Sequence, residues 1–218
     1  MSFPFSLSPS CRQEISEAES DCLEGQANDI LTAVIQGMRK EEPENEIRYA
    51  AVQALNNAIE FASSNFERDQ ERDYIMTQLC ECTQCPDKRV RGEAMDCLAM
   101  VAYHYYRFLP NYVQAISQLS LKAIKEDEEE VATMAMEFWS TIVDEELGLQ
   151  MAIEDGEEEE KALLNITKQA TPFFVPVLLE CLTKQTEDDD EDTWTVAKAA
   201  AVCLSLFAQC AKLSLIHI

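Results

Sequence analysis

Val90, Ala94 and Leu98 are spaced four residues apart in the stretch VRGEAMDCL (residues 90–98). Residues at this spacing lie along one face of an α-helix, and the small central alanine allows a neighbouring helix to approach closely. The same pattern of an aliphatic residue, an alanine and a large apolar residue occurs four times: Ile47-Ala51-Leu55, Val90-Ala94-Leu98, Val131-Ala135-Trp139 and Val196-Ala200-Leu204. We therefore predict four helices that share one packing mode.

These four helices recur at a nearly regular spacing. Their first residues lie 43, 41 and 65 positions apart. The first two spacings fall in the range of about 40–47 residues that is typical of HEAT and armadillo repeats, which stack helical units into a solenoid. The third spacing exceeds the second by 24 residues, which leaves room for an inserted segment with a short helix over Lys161–Ala170.

Each of the four helices follows another apolar segment, so the predicted repeat unit is a hairpin of two helices. The first helices are expected at Asp29–Arg39, Arg72–Cys82, Asn111–Ile124 and Pro172–Lys184. Pro43 and Pro86 precede second helices, where a proline ends one helix without disturbing the next. We predict an all-α protein, a right-handed α-solenoid of HEAT-type hairpins (an ARM-like superhelix).

The composition agrees with a helical globular protein and excludes several functional classes. The 218 residues include 17 Lys and Arg against 41 Asp and Glu, and this net charge of −24 excludes a nucleic-acid binder that works by neutralising phosphates. Hydrophobic residues make up 47% of the chain, which is enough for a core. No apolar run reaches the roughly 18 residues of a membrane span and no secretory signal is evident, so we expect a soluble protein without membrane insertion.

The two ends of the chain lack the repeat pattern. We expect residues 1–21 to be a disordered or non-native segment, residues 22–212 to form a solenoid of about four repeats, and residues 213–218 to be a tail outside the repeats. A solenoid needs polar capping repeats, and neither end of this pattern shows one. The sequence therefore indicates a fragment of a longer repeat protein.

The sequence offers no convincing catalytic or metal site. Cys80, Cys82 and Cys85 form the only cluster of soft ligands, but no fourth zinc ligand follows at finger spacing, and His104 lies 19 residues further on. Nine cysteines without a secretory signal indicate reduced thiols that serve as small core residues. We predict a protein that is not an enzyme and that uses no metal or other cofactor.

Three acidic runs are a stronger signal: Glu126–Glu130, Glu154–Glu160 and Glu187–Asp192. Such blocks serve either as solubilising loops or as interaction segments. The last run lies inside a hairpin and is followed by Trp194, whose indole can stack on an arginine while the carboxylates pair with its charge. This arrangement favours a basic peptide or protein face as ligand, whereas a tryptophan at a helix start can equally serve in packing alone.

Two further surfaces are predicted from the helices. Glu137 and Asp144 lie seven residues apart on one helix face, where charges are usually just solvated, but where the aligned carboxylates of a solenoid also form a negative groove. The first two hairpins contribute residues for a shallow apolar trough that would accept one phenylalanine side chain. Its lining is Leu31, Thr32, Ile35, Glu71, Tyr74 and Ile75, some of which can be plain packing residues.

Several segments of the chain resemble the importin β family of HEAT-repeat nuclear import receptors. The resemblance is carried by Leu31–Pro43, Tyr49–Leu55, Thr83–Asp87, Glu137–Ser140 with Asp144–Glu146, and Leu182–Gln185 leading to the acidic run and Trp194. It extends from about Cys22 to Lys212, in order and at matching spacing. The region is similar to about the fifth to eighth repeats of these longer receptors.

The resemblance implies sites for three partners. It places the phenylalanine of FxFG nucleoporins in the trough of Leu31, Thr32, Ile35, Glu71, Tyr74 and Ile75, with Tyr74 where the family has phenylalanine. It assigns the GTPase Ran, in its GTP form, to Glu137, Asp144, Glu187, Asp188, Asp189, Asp190, Glu191 and Asp192. It assigns the basic importin-β-binding segment of importin α, or basic cargo proteins, to Trp194 with Asp189, Asp190 and Asp192.

On this resemblance the chain is expected to act in nuclear protein import and to shuttle between cytoplasm and nucleus through the nuclear pore. Two other classes stay open from the residues alone. A HEAT scaffold such as a phosphatase regulatory subunit shares the repeat but not the acidic run with its tryptophan. An acidic chaperone for basic proteins needs the acidic runs but not the trough, so binding of an FxFG peptide distinguishes the receptor from both.

Overall fold

The computed structural model describes residues 29–157, 159–183 and 194–216 of the 218-residue chain. Residues 1–21 and the acidic run Glu187–Asp192 lie outside these ranges. Within them the chain consists of helices joined by turns and contains no strand. The predicted all-α class is confirmed.

The α-helices in these ranges are residues 29–38 (α1), Asn45–Ala58 (α2), Ser63–Glu67 (α3), Asp69–Cys82 (α4), Lys88–Tyr105 (α5), Val113–Glu126 (α6), Glu129–Glu154 (α7), Ile166–Leu182 (α8) and Val196–Ile216 (α9). Short 3₁₀ helices lie at Ile59–Phe61, Tyr106–Asn111 and Glu160–Ala162. Four hairpins result, α1 with α2, α4 with α5, α6 with α7, and α8 with α9. None of the described helices combines the length and the apolar character that crossing a membrane requires.

The hairpins stack in chain order. The second helices pack α2 on α5, α5 on α7 and α7 on α9, and the first helices α4, α6 and α8 contact one another in the same order. At Gly37 of α1, an added Cβ would lie 3.0 Å from the Cβ of Ala51 in α2, so these two helices approach closely. The central alanine of each sequence pattern is buried, as predicted: Ala51, Ala94, Ala135 and Ala200. Ile47 differs, since it lies in the first turn of α2 and stays 48% exposed.

The inserted segment and the last helix differ from the prediction. The sequence predicts a short helix over Lys161–Ala170 and a new helix from Pro172, but α8 begins at Ile166 and contains both Pro172 and Pro176. Much of the insertion belongs instead to α7, which is 26 residues long. The last helix continues into the predicted tail as far as Ile216. The predicted helix boundaries near residues 172 and 213 are therefore wrong.

A buried carboxylate explains where α8 begins. Glu146, which is 1% exposed, accepts hydrogen bonds from the backbone N–H groups of Ile166 and Thr167. It also accepts from the hydroxyl of Tyr106 at 2.6 Å, and that hydroxyl accepts from the backbone N–H of Leu164 at 3.0 Å. First-turn N–H groups have no acceptor within their own helix, so a side chain that accepts from them defines the helix start. Glu146 thereby joins α7, α8 and the turn after α5.

An aromatic cluster around Trp139 joins the third and fourth hairpins. The indole of Trp139 is fully buried, together with the neighbouring Phe138. Its ring centroid lies 4.1 Å from that of Phe174 in α8 and 6.5 Å from that of Phe207 in α9. The indole N–H donates to Ser120 Oγ in α6 at 2.9 Å, which satisfies its one buried polar atom. Trp139 therefore contacts three neighbouring helices.

Candidate functional site

The six residues of the predicted phenylalanine trough come together in the structure. They line one open groove between α1 and α4, which we call the α1–α4 groove, with a volume of about 510 Å³: Leu31, Thr32, Ile35, Glu71, Tyr74 and Ile75. Leu31, Ile35 and Ile75 form an apolar floor, each at most 9% exposed. Tyr74 is 47% exposed at the rim. The groove thus offers an apolar floor and an aromatic edge.

Sequence reasoning did not identify the polar rim of the α1–α4 groove, where Gln36, Arg39, Asn65 and Arg68 complete the lining. The carboxylate of Glu71 accepts hydrogen bonds from Arg68 Nη1 at 2.9 Å and from Asn65 Nδ2 at 2.8 Å. The bond from Arg68 is the main reason why the pKa of Glu71 is lowered. Arg68 immediately precedes α4 and Glu71 lies in its first turn, so their three-residue spacing at a helix start is the signal that could have indicated this pair.

Glu137 and Asp144 lie on α7, and both are exposed, as the sequence predicts. In the part of the chain that the structure describes, neither carboxylate forms an ion pair. Partial burial raises the pKa of Asp144 and of its neighbour Glu145, because the charged form loses hydration. An external cation near this face would supply a counter-charge for these two carboxylates.

Trp194 lies beside an acidic run that the sequence did not link to it, Glu128–Glu130. Its side chain is 57% exposed and borders a groove of about 530 Å³ that is also lined by Glu128–Glu130 at the start of α7. A carboxylate oxygen of Glu129 accepts a hydrogen bond from the backbone N–H of Val196 at 2.9 Å. This bond holds the start of α9, and with it Trp194, against the start of α7. The run Glu187–Asp192 itself lies outside the described residues.

The carboxylates next to Trp194 already have partners within the chain. Glu130 lies 2.9 Å from Lys88 Nζ, and Glu128 lies 2.5 Å from Arg91 Nη2. Glu130 and Lys88 are both largely exposed, and pairs of this kind are weak because water screens them. A ligand arginine that binds a carboxylate through two hydrogen bonds can therefore compete for this groove.

The cysteine cluster does not form a metal site in the structure. Over the described ranges, no group of three or more His, Cys, Asp or Glu side chains is placed to hold a metal ion. Burial raises the pKa of Cys80 and of Cys82 to about 11. Burial therefore disfavours the thiolate at both positions, and the thiolate is the form of cysteine that binds zinc. Cys82 and Cys85 are buried, in agreement with their predicted role as small core residues.

Comparison with known sequences identifies close relatives of this chain. No family model matches it. The chain is 43% identical over 198 residues to importin subunit beta-1 of Arabidopsis thaliana and 36% identical over 197 residues to importin subunit beta-1 of Saccharomyces cerevisiae. These matches cover 88% and 90% of this chain but only 23% of each relative. The chain thus spans less than a quarter of the length of the curated relatives it matches.

Solved structures of importin β share the fold. Yeast importin-β (Kap95p) superimposes with a TM-score of 0.82 at 36% identity, covering 86% of this chain and 22% of that one. The Kap95:Nup1 complex gives 0.80 at 36% identity, covering 85% and 22%. Kap95p bound to RanGDP gives 0.78 at 37% identity, covering 83% and 21%. Sequence and fold agree, so the predicted resemblance to the importin β family is confirmed over the matched region.

Proposed function

We propose that this chain is part of a nuclear transport receptor of the importin β type. In this role it contacts FG nucleoporins weakly, carries basic import signals directly or through importin α, and releases them when Ran-GTP binds. The similarity to importin subunits, and to Kap95 in complexes with Nup1 and with RanGDP, supports the proposal. Such a receptor shuttles between cytoplasm and nucleus through the pore.

The α1–α4 groove is the observation that carries this proposal. The six residues expected to receive a phenylalanine meet in one groove with an apolar floor. Full burial of a phenylalanine side chain contributes roughly 1.5–3 kcal/mol. The loss of translational and rotational freedom on association opposes this gain, so one ring gives a weak contact that forms and breaks quickly. A receptor that moves along many such repeats needs contacts of this kind.

We assign the Ran contacts to Glu137 and Asp144 and to the six carboxylates of Glu187–Asp192. The exposure of the first two, and the lack of a described ion pair for either, support their part of the assignment. Charges on such a surface act over about 8 Å at physiological salt. They therefore speed the encounter with a basic partner more than they prolong the complex.

We assign the basic segment of importin α, or basic cargo, to Trp194 with Asp189, Asp190 and Asp192. The exposed indole of Trp194 supports this assignment, because an arginine can stack on it. The nearby run Glu128–Glu130 extends the acidic surface around the indole. An extended peptide rich in arginine and lysine matches this combination of an aromatic face and carboxylates.

The test of the α1–α4 groove is the binding of a fluorescent FxFG peptide, measured by anisotropy. Tyr74→Ala removes the exposed edge of the groove, and we expect its Kd to rise at least fivefold. Tyr103→Ala is the matched control, because Tyr103 is a 59% exposed tyrosine on α5 outside the groove. Tyr74→Phe keeps the ring and should bind as tightly as the unmodified chain. Equal binding by all variants would contradict the assignment, and absence of binding by the unmodified chain would favour another class of HEAT scaffold.

The basic-ligand surface is tested by surface-immobilised kinetics with an importin-α-type basic peptide at two salt concentrations. Replacing Asp188, Asp189, Asp190 and Asp192 by Asn should slow association and reduce its salt dependence. Trp194→Ala should instead speed dissociation and leave the salt dependence nearly unchanged, since it removes a stacking contact and no charge. An unchanged association rate in the Asn variant would leave the run as a solubilising loop.

A further inference from the structure

Two arginines occupy the same place in consecutive hairpins. Arg48 is the fourth residue of α2 and Arg91 is the fourth residue of α5, 43 positions later. Arg91 donates two hydrogen bonds to the carboxylate of Asp127 in the next hairpin, from Nε at 2.7 Å and from Nη2 at 2.6 Å. The side chains of this pair are only 15% and 16% exposed. The charge of Arg91 is therefore matched inside the protein.

Among the described residues, Arg48 has no such carboxylate partner. Its guanidinium instead donates from Nη1 to Sγ of Cys85 in the next hairpin, at 3.0 Å. Arg48 is 5% exposed, and its Nε has no hydrogen-bond partner in the described part of the chain. None of the ion pairs formed by the described residues includes it. A cation that is buried without a counter-charge loses hydration and gains little in return.

Arg48 and Cys85 both line a groove of about 490 Å³ where α2, α4 and α6 meet. We call it the Arg48 groove, and it is separate from the α1–α4 groove. Its apolar lining includes Met76, Pro86 and Leu119. The other charged residues of the lining are Lys40 and Glu81. The buried, unmatched Arg48 therefore borders an open, largely apolar groove.

We propose that the Arg48 groove binds an aspartate or glutamate side chain of an extended peptide, with the ligand carboxylate in the role that Asp127 plays for Arg91. A peptide is favoured over a free inorganic anion because Met76, Pro86 and Leu119 can contact apolar residues that flank the acidic one. Glu81 repels a second carboxylate, so the groove selects a single acidic residue within an apolar context. This inference stands on Arg48 and Cys85 and does not depend on the proposed transport function.

The test uses two blocked pentapeptides with the unmodified chain. One has a single glutamate between two leucines, and the other has glutamine in its place. We expect the glutamate peptide to bind at least tenfold more tightly, as measured by calorimetry. Equal affinities would overturn the proposal. Sodium sulfate, added at the ionic strength of a chloride control, should not displace the peptide, and full displacement by sulfate would show an inorganic-anion site instead of a peptide site.

Two variants test whether the glutamate peptide binds next to Arg48. Cys85→Asp places a carboxylate next to Arg48 and should weaken binding of the glutamate peptide at least tenfold. Cys80→Ser is the matched control, because Cys80 lines the same groove without a hydrogen bond from Arg48, and it should bind like the unmodified chain. Unchanged binding in Cys85→Asp would contradict a role for Arg48. The peptide comparison in the unmodified chain stays decisive if a variant fails to fold.

Discussion

An arginine lies at the same helix position at the junction between the first two hairpins and at the junction between the second and third, but its partners differ. At the later junction, Arg91 is paired with Asp127 in a largely buried salt bridge. At the earlier junction, Arg48 donates to the sulfur of Cys85 and has no carboxylate partner among the described residues. Both hairpins thus have an arginine at this position. We call the junction with the internal Arg91–Asp127 ion pair the sealed junction, and the junction at which Arg48 lacks a described carboxylate partner the open junction.

The largest expected effect is at the sealed junction. Asp127→Ala leaves the guanidinium of Arg91 with the more exposed Glu128 as its one described carboxylate partner, and we expect a loss of about 2–3 kcal/mol in the free energy of unfolding. Urea unfolding followed by circular dichroism measures it. A change below about 0.5 kcal/mol, the usual size for a surface substitution, would show that the two junctions do not differ as described.

The sealed junction should also be sensitive to acid. Burial opposes the ionisation of Asp127, but hydrogen bonds from Arg91 and Glu128 outweigh it, so the pKa of Asp127 is lowered from its ordinary value of 3.8. A lowered pKa in the folded state contributes stability that is present above pH 3.8 and is lost as the pH falls through the folded-state pKa. The stability difference between the unmodified chain and Asp127→Asn should therefore shrink below that pH. A difference that does not vary between pH 6 and pH 3 would contradict this assignment.

The open junction should respond in the opposite direction. Cys85→Asp supplies Arg48 with the carboxylate that Arg91 already has, and we expect a gain of about 1 kcal/mol in the free energy of unfolding at pH 7. Urea unfolding of Cys85→Asp beside Cys85→Ser separates the effect of the charge from that of losing the thiol. A Cys85→Asp variant less stable than Cys85→Ser would mean that burying the new carboxylate costs more than its pairing with Arg48 contributes.

The smallest effect is expected at a surface pair of the first hairpin. Arg39 lies 3.4 Å from Glu41, and their side chains are 50% and 74% exposed. Glu41→Ala should change the free energy of unfolding by less than about 0.5 kcal/mol, because water screens such a pair. The same urea series measures it. An effect as large as that of Asp127→Ala would show that burial is not what distinguishes the junctions.

The helical repeat could be predicted from the sequence because helix period is a local property. The alanines Ala51, Ala94, Ala135 and Ala200 show their packing face through spacing alone, and all four are buried. The trough residues come from two segments some 40 positions apart, and the predicted stacking of adjacent hairpins grouped them before the family resemblance implied the same six positions. In the structure the same residues line one groove, so the predicted and observed positions of these residues agree.

The features that the sequence did not reveal depend on contacts between distant segments. Trp194 meets Glu128–Glu130 only because α9 packs on α7, and no local pattern links residues more than 60 positions apart. Glu146 is the last of three consecutive acidic residues, after Asp144 and Glu145, and such a context suggests a solvated side chain. In the structure Glu146 is 1% exposed. The boundary predicted at Pro172 was wrong because proline is a common first residue of a helix. In the structure α8 begins earlier, at Ile166, whose N–H donates to Glu146, and Pro172 lies inside the helix.

The buried carboxylate of Glu146 affects amide hydrogen exchange at the start of α8. The first turn of a helix normally frays, because its N–H groups exchange with water without breaking any internal hydrogen bond. The first amides of α8 are held by Glu146 on α7, whose other bond reaches Tyr106. Amide hydrogen exchange at Ile166 and Thr167 therefore requires the third and fourth hairpins to separate, and these two amides report on the cooperative opening of the stack rather than on local fraying.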